Sequence, residues 1–188
     1  MDKRYLSLSD PIWAGWLPDT PIGPVSLAVT GQGLVRIDFC SLDALKSQLD
    51  PQAITDKNPP YYFDEALRQL AAYFRGQCRS FDLPLDWRLM PVFQQQALRI
   101  TWEIPFGKVR TYGDIARQIG KPNAARAVGG AEAHNPLPIV IPCHRVVDGQ
   151  GGLHGYGAPG GINTKKWLLE LEGHSFIGQR MVMQPLLL

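Results

Sequence analysis

Cysteine is scarce in this chain. Its three residues, Cys40, Cys78 and Cys143, are odd in number and fall at no metal-ligand spacing, which argues against a disulfide framework and a zinc knuckle and fits a reducing cytosol. Long apolar runs are missing as well: no stretch reaches the length of a bilayer span, and Met1 to Pro11 lacks the continuous apolar segment of a secretion signal. The reading is therefore of a cytoplasmic protein. Excess charge is lacking too, since a formal net charge of +2 is too weak by itself to argue for a nucleic-acid partner. No internal repeat, heptad series or low-complexity tract is present, and the tail from His174 to Leu188 is apolar and uninformative. What is present is 188 residues at 45% hydrophobic and 19% charged, enough to bury a sizeable core in one compact unit or two small domains. The cations are unevenly placed: Arg99, Lys108, Arg110, Arg117, Lys121, Arg126 and Arg145 crowd one region.

Two styles of sequence follow one another. Around Gly31-Gln32-Gly33, alternating apolar and small residues predict strands Val25–Thr30 and Leu34–Phe39 joined by a tight turn. Ser41 can cap a helix over Leu42–Leu49, and the spacing of Phe63, Leu67, Leu70, Ala71 and Phe74 predicts a second that Gly76 stops. The stretch Asp82–Met90 then leads into a mostly helical half, so the boundary falls near Met90, with residues 1–89 as one domain and 90–188 as the other. In that second half Phe93–Thr101 reads as a helix with Val92, Phe93, Gln96, Ala97 and Ile100 inward. Tyr112 to Ile119 gives another, stopped by Gly120, and Ala124–Ala131 gives a third that Asn123 can cap. Helix, short Gly-containing turn, second helix is a helix-turn-helix pattern. The second helix is built of Ala, Gly and Val, a low-relief surface from which Arg126 projects. A lone Arg of this kind can enter a minor groove or stack in place of a displaced base.

The chemistry concentrates in Ile141-Pro142-Cys143-His144-Arg145-Val146-Val147, a thiol beside an imidazole in an apolar run. A buried thiol is usually inert, so the pair points to a thiolate kept for nucleophilic work. On extended backbone, neighbouring side chains face opposite ways, so His144 is poorly placed to take the proton of Cys143 directly, and a bridging water would solve this.

Pro105 to Ala116, Ala124 to Gly129, Asn135-Pro136, Pro142 to Arg145 and Lys166-Trp167-Leu168-Leu169 occur in an order that resembles the O6-alkylguanine-DNA alkyltransferases, strongly from Met90 to Gly173 and more weakly at Thr20–Pro24. The resemblance implies an α+β protein, with a ribonuclease-H-like α/β amino-terminal domain and a helical, winged-helix-like carboxy-terminal domain carrying the helix-turn-helix. It implies transfer of an alkyl group from O6 of guanine, with O4 of thymine as a further donor, to Cys143 in duplex DNA, as a monomer without metal or cofactor.

By residue-to-residue match, His144 would act through water as general base, oriented by Glu172. Tyr112 would crowd the backbone phosphate and donate to the departing guanine, and Asn135 would tie the recognition helix to the active-site segment. Arg126 would fill the gap left by a flipped nucleotide. DNA contacts are implied at Thr111, Tyr112, Ala125, Arg126, Ala127 and Gly129, and a pocket at Pro138, Arg145, Val146, Tyr156 and Ala158. The segment Gly155–Gly161 is longer than the family's shorter form, so the resemblance does not fix which backbone amide meets O6. Because an S-alkyl thioether offers water no electrophilic carbonyl, the protein would be consumed in one turnover. Three other classes compete with it: a non-reactive alkylated-DNA-binding protein, which would lack the thiol; a helix-turn-helix regulator, for which Ala124–Ala131 offers almost no base-reading side chains beyond Arg126; and a cysteine hydrolase, which would turn over.

Overall fold

The computed structural model describes residues 10–178 and 180–182. The stretches 1–9 and 183–188, read above for composition, lie outside the described residues. The chain divides into two compact units between Met90 and Pro91.

In the first unit, β1 (Trp13–Leu17), β2 (Val25–Thr30) and β3 (Gly33–Asp38) form an antiparallel sheet in the order β1-β2-β3. All six residues of the central β2 are buried, which is why its sequence reads as a nearly continuous apolar and small run. The turn between β2 and β3 is as tight as the Gly-Gln-Gly spacing predicts. Gly33 at φ 150° is also where the backbone of Pro84 comes closest, since a Cβ there would lie 2.6 Å from the Pro84 carbonyl oxygen. Helices α1 (Leu42–Lys46) and α2 (Tyr62–Phe74) pack on β1, and the Ser41 hydroxyl caps α1 by accepting from Ala44 N at 3.3 Å. The helix expected to run to Leu49 ends at Lys46. The residues after it turn instead, with Leu49 N bonded to Lys46 O at 3.2 Å and Leu49 itself buried.

The second unit holds α3 (Val92–Trp102), α4 (Tyr112–Gln118), α5 (Ala125–Ala133) and α6 (Ile162–Leu171). Two-residue strands complete it: β4 (Arg110–Thr111) parallel to β5 (Val146–Val147), and β6 (Phe176–Ile177) antiparallel to β7 (Arg180–Met181). Helices α3, α4 and α5 close around Ala97, Ile104, Ile115, Ala116, Val128, Ala131 and Val146. Small residues on α5 let the three axes approach closely, and this core fixes the helix-turn-helix of α4 and α5.

Three expectations are corrected here. Val92 is 74% exposed and Gln96 is exposed, whereas Ala97, Leu98 and Thr101 are buried. Val92 opens the helix, with no preceding turn to cover it, and the inner stripe therefore starts one residue later. Asn123 does not cap α5: Ala124 N bonds back to Lys121 O at 2.8 Å, the helix starts after this turn, and its N-cap is Ala124 with no side-chain bond. Finally, Cys143–Arg145 is a single 3₁₀ turn and not a strand, closed by Arg145 N donating to Pro142 O at 2.8 Å.

Candidate active site

Pro142 fixes its own φ, and the 3₁₀ turn behind it delivers three consecutive buried side chains, Cys143, His144 and Arg145, into the core of the second unit. Asn135 braces the segment ahead of the turn: its Nδ2 donates to Ile141 O at 2.8 Å, and its Oδ1 accepts from Leu137 N at 3.0 Å. Asn135 thus joins the end of α5 to the segment before Cys143 by two side-chain to backbone bonds, the longer reaching six residues ahead.

Glu172, the residue that caps α6, is the hub of the site. Its Oε1 lies 2.9 Å from His144 Nε2, and the Arg145 guanidinium reaches it from Nη2 at 2.8 Å and from Nε to Oε2 at 2.9 Å. Gly107 N donates to Oε2 at 3.2 Å, and Arg145 Nη1 donates to Ile104 O at 2.5 Å. Burial alone would raise this carboxyl, but the hydrogen bonds and charges of His144 and Arg145 outweigh it and hold Glu172 well below the usual carboxylate range. An ionised carboxylate only accepts, so the proton of a neutral His144 must sit on Nε2, and Nδ1 is the basic nitrogen. Burial lowers the pKa of His144 from its usual value despite Glu172, which keeps the imidazole neutral at pH 7.

Cys143 is 8% exposed. Burial pushes its thiol up to about 12, the charge of Glu132 adds to this, and a hydrogen bond from the Asn135 side chain and the charge of Lys165 oppose it. The resting residue is therefore a thiol. Burial likewise carries the Tyr112 phenol up to about 12, so it is a proton donor and not a phenolate. Tyr112 is the first residue of α4, and Thr111 caps that helix through a reciprocal pair: Asp114 N donates to Thr111 Oγ1 at 3.0 Å, and Thr111 N donates to Asp114 Oδ2 at 2.8 Å.

A cavity of about 780 Å³ is lined by Tyr112, Ala125, Arg126, Gly129, Tyr156 and His154 among others; Cys143, His144, Asn135 and Glu172 are not on its lining, and its Tyr156 ring stands 6.4 Å from that of His144. Its size falls within the roughly 300–1,000 Å³ of small-ligand pockets, ample for a nucleobase. Of the residues expected at the pocket, Tyr156 lies on this lining, whereas Pro138, Arg145, Val146 and Ala158 are buried off it. Arg145 is engaged by Glu172 and stands 5.9 Å from the Phe106 ring, and Val146 is part of the helical core. Of the residues expected at DNA, Ala125, Arg126, Gly129 and Tyr112 share the cavity, Ala127 is exposed elsewhere on α5, and Thr111 serves as the cap.

Three site features went unread in the sequence. Lys165 is buried, with Nζ donating to Val146 O at 2.7 Å and lying 5.9 Å from the Tyr112 ring centre. Its position three and four residues before the buried Leu168 and Leu169 is the signal that places it on the inner face of α6. Glu132 follows the buried Val128 by four residues on α5, on the same face. His154 lines the cavity and pairs with Asp148 at 3.0 Å, a contact between loop residues that periodicity does not reveal.

Residues 92–174 match the model of the 6-O-methylguanine DNA methyltransferase DNA binding domain, and residues 16–87 match that family's ribonuclease-like domain. The chain belongs to the 6-O-methylguanine DNA methyltransferase family, and its fold is α+β, a ribonuclease-like domain followed by a helical DNA-binding one. It is 47% identical over 154 residues to the methylated-DNA--protein-cysteine methyltransferase of Mycobacterium tuberculosis, covering 82% of this chain and 88% of that protein. Among solved structures, the O6-methylguanine methyltransferase of the same organism is 42% identical, with a TM-score of 0.69, 86% of this chain and 92% of that one being covered. The structure of Mycobacterium tuberculosis OGT in complex with DNA is 41% identical, with a TM-score of 0.68 over 85% of this chain and 92% of that one.

Proposed function

We propose that this protein repairs DNA as a methylated-DNA--protein-cysteine methyltransferase, moving an alkyl group from O6 of guanine in duplex DNA onto Cys143, each molecule acting once. The observation that carries this reading is the buried Cys143 in one 3₁₀ turn with a His144 held by Glu172, the His144 ring 6.4 Å from Tyr156 of a cavity that Tyr112 and Arg126 also line.

The chemistry is a displacement at an sp3 carbon. The Cys143 sulfur forms the C–S bond, the C–O6 bond breaks, and the electron pair stays with guanine. The thiol proton passes through a water to His144 Nδ1, and Tyr112 donates a proton to the departing base. A thiol held near 12 and an imidazole held below its usual value are mismatched for prior proton transfer, so the proton moves with C–S bond formation and not ahead of it. Arg126, exposed on the small-residue surface of α5, occupies the space of the extruded nucleotide, and the close-packed Ala125 and Gly129 allow the backbone of DNA to approach. O4 of thymine is the second donor to test.

Mass spectrometry after exposure to an O6-methylguanine duplex tests the reading. One methyl is expected on Cys143 and none on Cys40 or Cys78, with a stoichiometric burst. Product release beyond one equivalent would replace it with a hydrolase. Binding without adduct would replace it with a non-reactive damage-binding protein.

A further inference from the structure

Glu132 is a buried acid with no part in the chemistry above. It sits in the last turn of α5, with Oε1 accepting from Thr101 Oγ1 at 2.6 Å and Oε2 buried without a hydrogen-bond partner. Its own carbonyl accepts from the amide of Asn135 at 3.2 Å, so it lies at the junction between α5 and the nucleophile segment. In the same core, α6 contributes the buried ammonium of Lys165, whose Nζ lies against the Tyr112 ring and bonds Val146 O. Thr101 of α3 bonds Glu132 directly, the Tyr112 ring of α4 packs on α5 one turn earlier, 3.9 Å from a Cβ placed at Gly129, and the charge of Glu132 reaches Tyr112, Cys143 of the 3₁₀ turn and Lys165 of α6. Asp148 acts on Tyr112 and Lys165 from the following loop.

A half-bonded carboxyl in a core is costly to ionise, and the partial negative charge at the end of a helix adds to that cost. Burial accordingly pushes Glu132 up to about 7, with the Thr101 hydrogen bond and the Lys165 charge pulling it back. Its charge therefore changes near neutral pH, beside the two groups whose protons move in the reaction.

We propose that Glu132 is a positioning residue of the transfer site, a buried carboxyl in the same core as Lys165 whose ionisation governs how readily Cys143 and Tyr112 release their protons. This rests on the reading of Cys143 as the acceptor. The direction is fixed by charge. A carboxylate at Glu132 disfavours thiolate at Cys143 and phenolate at Tyr112 and favours ammonium at Lys165. Protonated Glu132 leaves Lys165 unopposed, and the thiolate becomes easier to form.

The test uses the full-length protein and two reagents. Iodoacetamide reads the nucleophilicity of Cys143 whatever the biological substrate, by mass of the Cys143 peptide, and free O6-benzylguanine reads the alkyl-transfer reaction. With a Glu132 transition at about 7, Glu132→Gln and wild type should react with iodoacetamide alike below about pH 6, and the variant should be several-fold faster above about pH 8. Lys165→Met should shift the thiol the other way, slowing its alkylation. Superimposable profiles for wild type and a folded Glu132→Gln overturn the proposal. Should that variant not fold, carbon-13 NMR of the Glu132 carboxyl in wild type decides: a midpoint near 7 supports the proposal, and one near the ordinary value of about 4.3 overturns it. The expected iodoacetamide profile together with no adduct from O6-benzylguanine or from an O6-methylguanine duplex would sink the alkyltransferase reading while leaving the coupling of Glu132 to the thiol in place.

Discussion

The carboxylate of Glu172 and the imidazole of His144, separated by 28 residues of sequence, meet at 2.9 Å between Oε1 and Nε2, and both side chains are fully buried. The contact fixes the ring's tautomer and turns its other nitrogen into the base. If this base assists transfer, His144→Ala should slow single-turnover alkylation by on the order of 10²-fold with DNA affinity nearly intact. Quench-flow rates beside filter-binding titrations check it, and an equal loss of binding would show the role to be structural.

Arg145→Leu should destabilise the second unit strongly. Removing the guanidinium leaves a buried carboxylate without its cation, with only His144 and the Gly107 amide to bond it, a change worth about 3–5 kcal/mol in comparable pairs, and it also frees the Ile104 carbonyl. Urea unfolding should show the loss, and the double variant Arg145→Leu, Glu172→Met should recover part of it. No recovery would mean that packing, not charge, dominates at this position.

Arg126→Ala should impair repair in duplex DNA far more than reaction with free O6-benzylguanine, which requires no extrusion. Binding to duplex should depend little on sequence and weaken with salt, with a log-log slope of about −0.9 per neutralised phosphate. An equal defect on the free base would remove Arg126 from any role in flipping.

The stability of the fold should depend on pH through opposing groups. His144 and Glu172 both have pKa values lowered in the folded state, so the unfolded chain binds more protons and stability is lost as pH falls through their windows. Glu132 is raised to about 7, so the folded state binds the extra proton and stability is lost as pH rises from about 4.3 through about 7. Glu132→Gln should therefore gain stability over wild type on moving from pH 5 to pH 8, by on the order of 2–3 kcal/mol. Denaturant titrations at the two pH values check this, and a constant difference would contradict it.

How much of this was legible in the sequence follows from which forces act locally. The β2 and β3 hairpin and α2 follow from turn glycines and apolar spacing, and α4 and α5 from Thr111, Gly120 and a run of small residues. β1 escaped because Trp13-Ala14-Gly15-Trp16-Leu17 does not alternate, its inward position being taken by Gly15 against Phe63 and Leu67. The 3₁₀ turn at Cys143 escaped because apolar runs suggest strands, whereas here the chain bends within three residues to seat three side chains. Glu172 was legible as the partner of His144. Arg145 as a second partner, Lys165 and Glu132 were not, since charge in a sequence suggests solvent and only tertiary packing shows it buried.

The cap at Thr111 has a consequence of its own. Its hydroxyl and the Asp114 carboxylate are committed to each other's backbone amides, and the residue they hold in place is Tyr112, the first of α4. In the proposed reaction the proton donor thus owes its aim to a motif worth only about 1 kcal/mol. A lesion as small as one missing hydroxyl would leave a protein that melts almost normally and repairs poorly, a defect that thermal screens of variants would pass over.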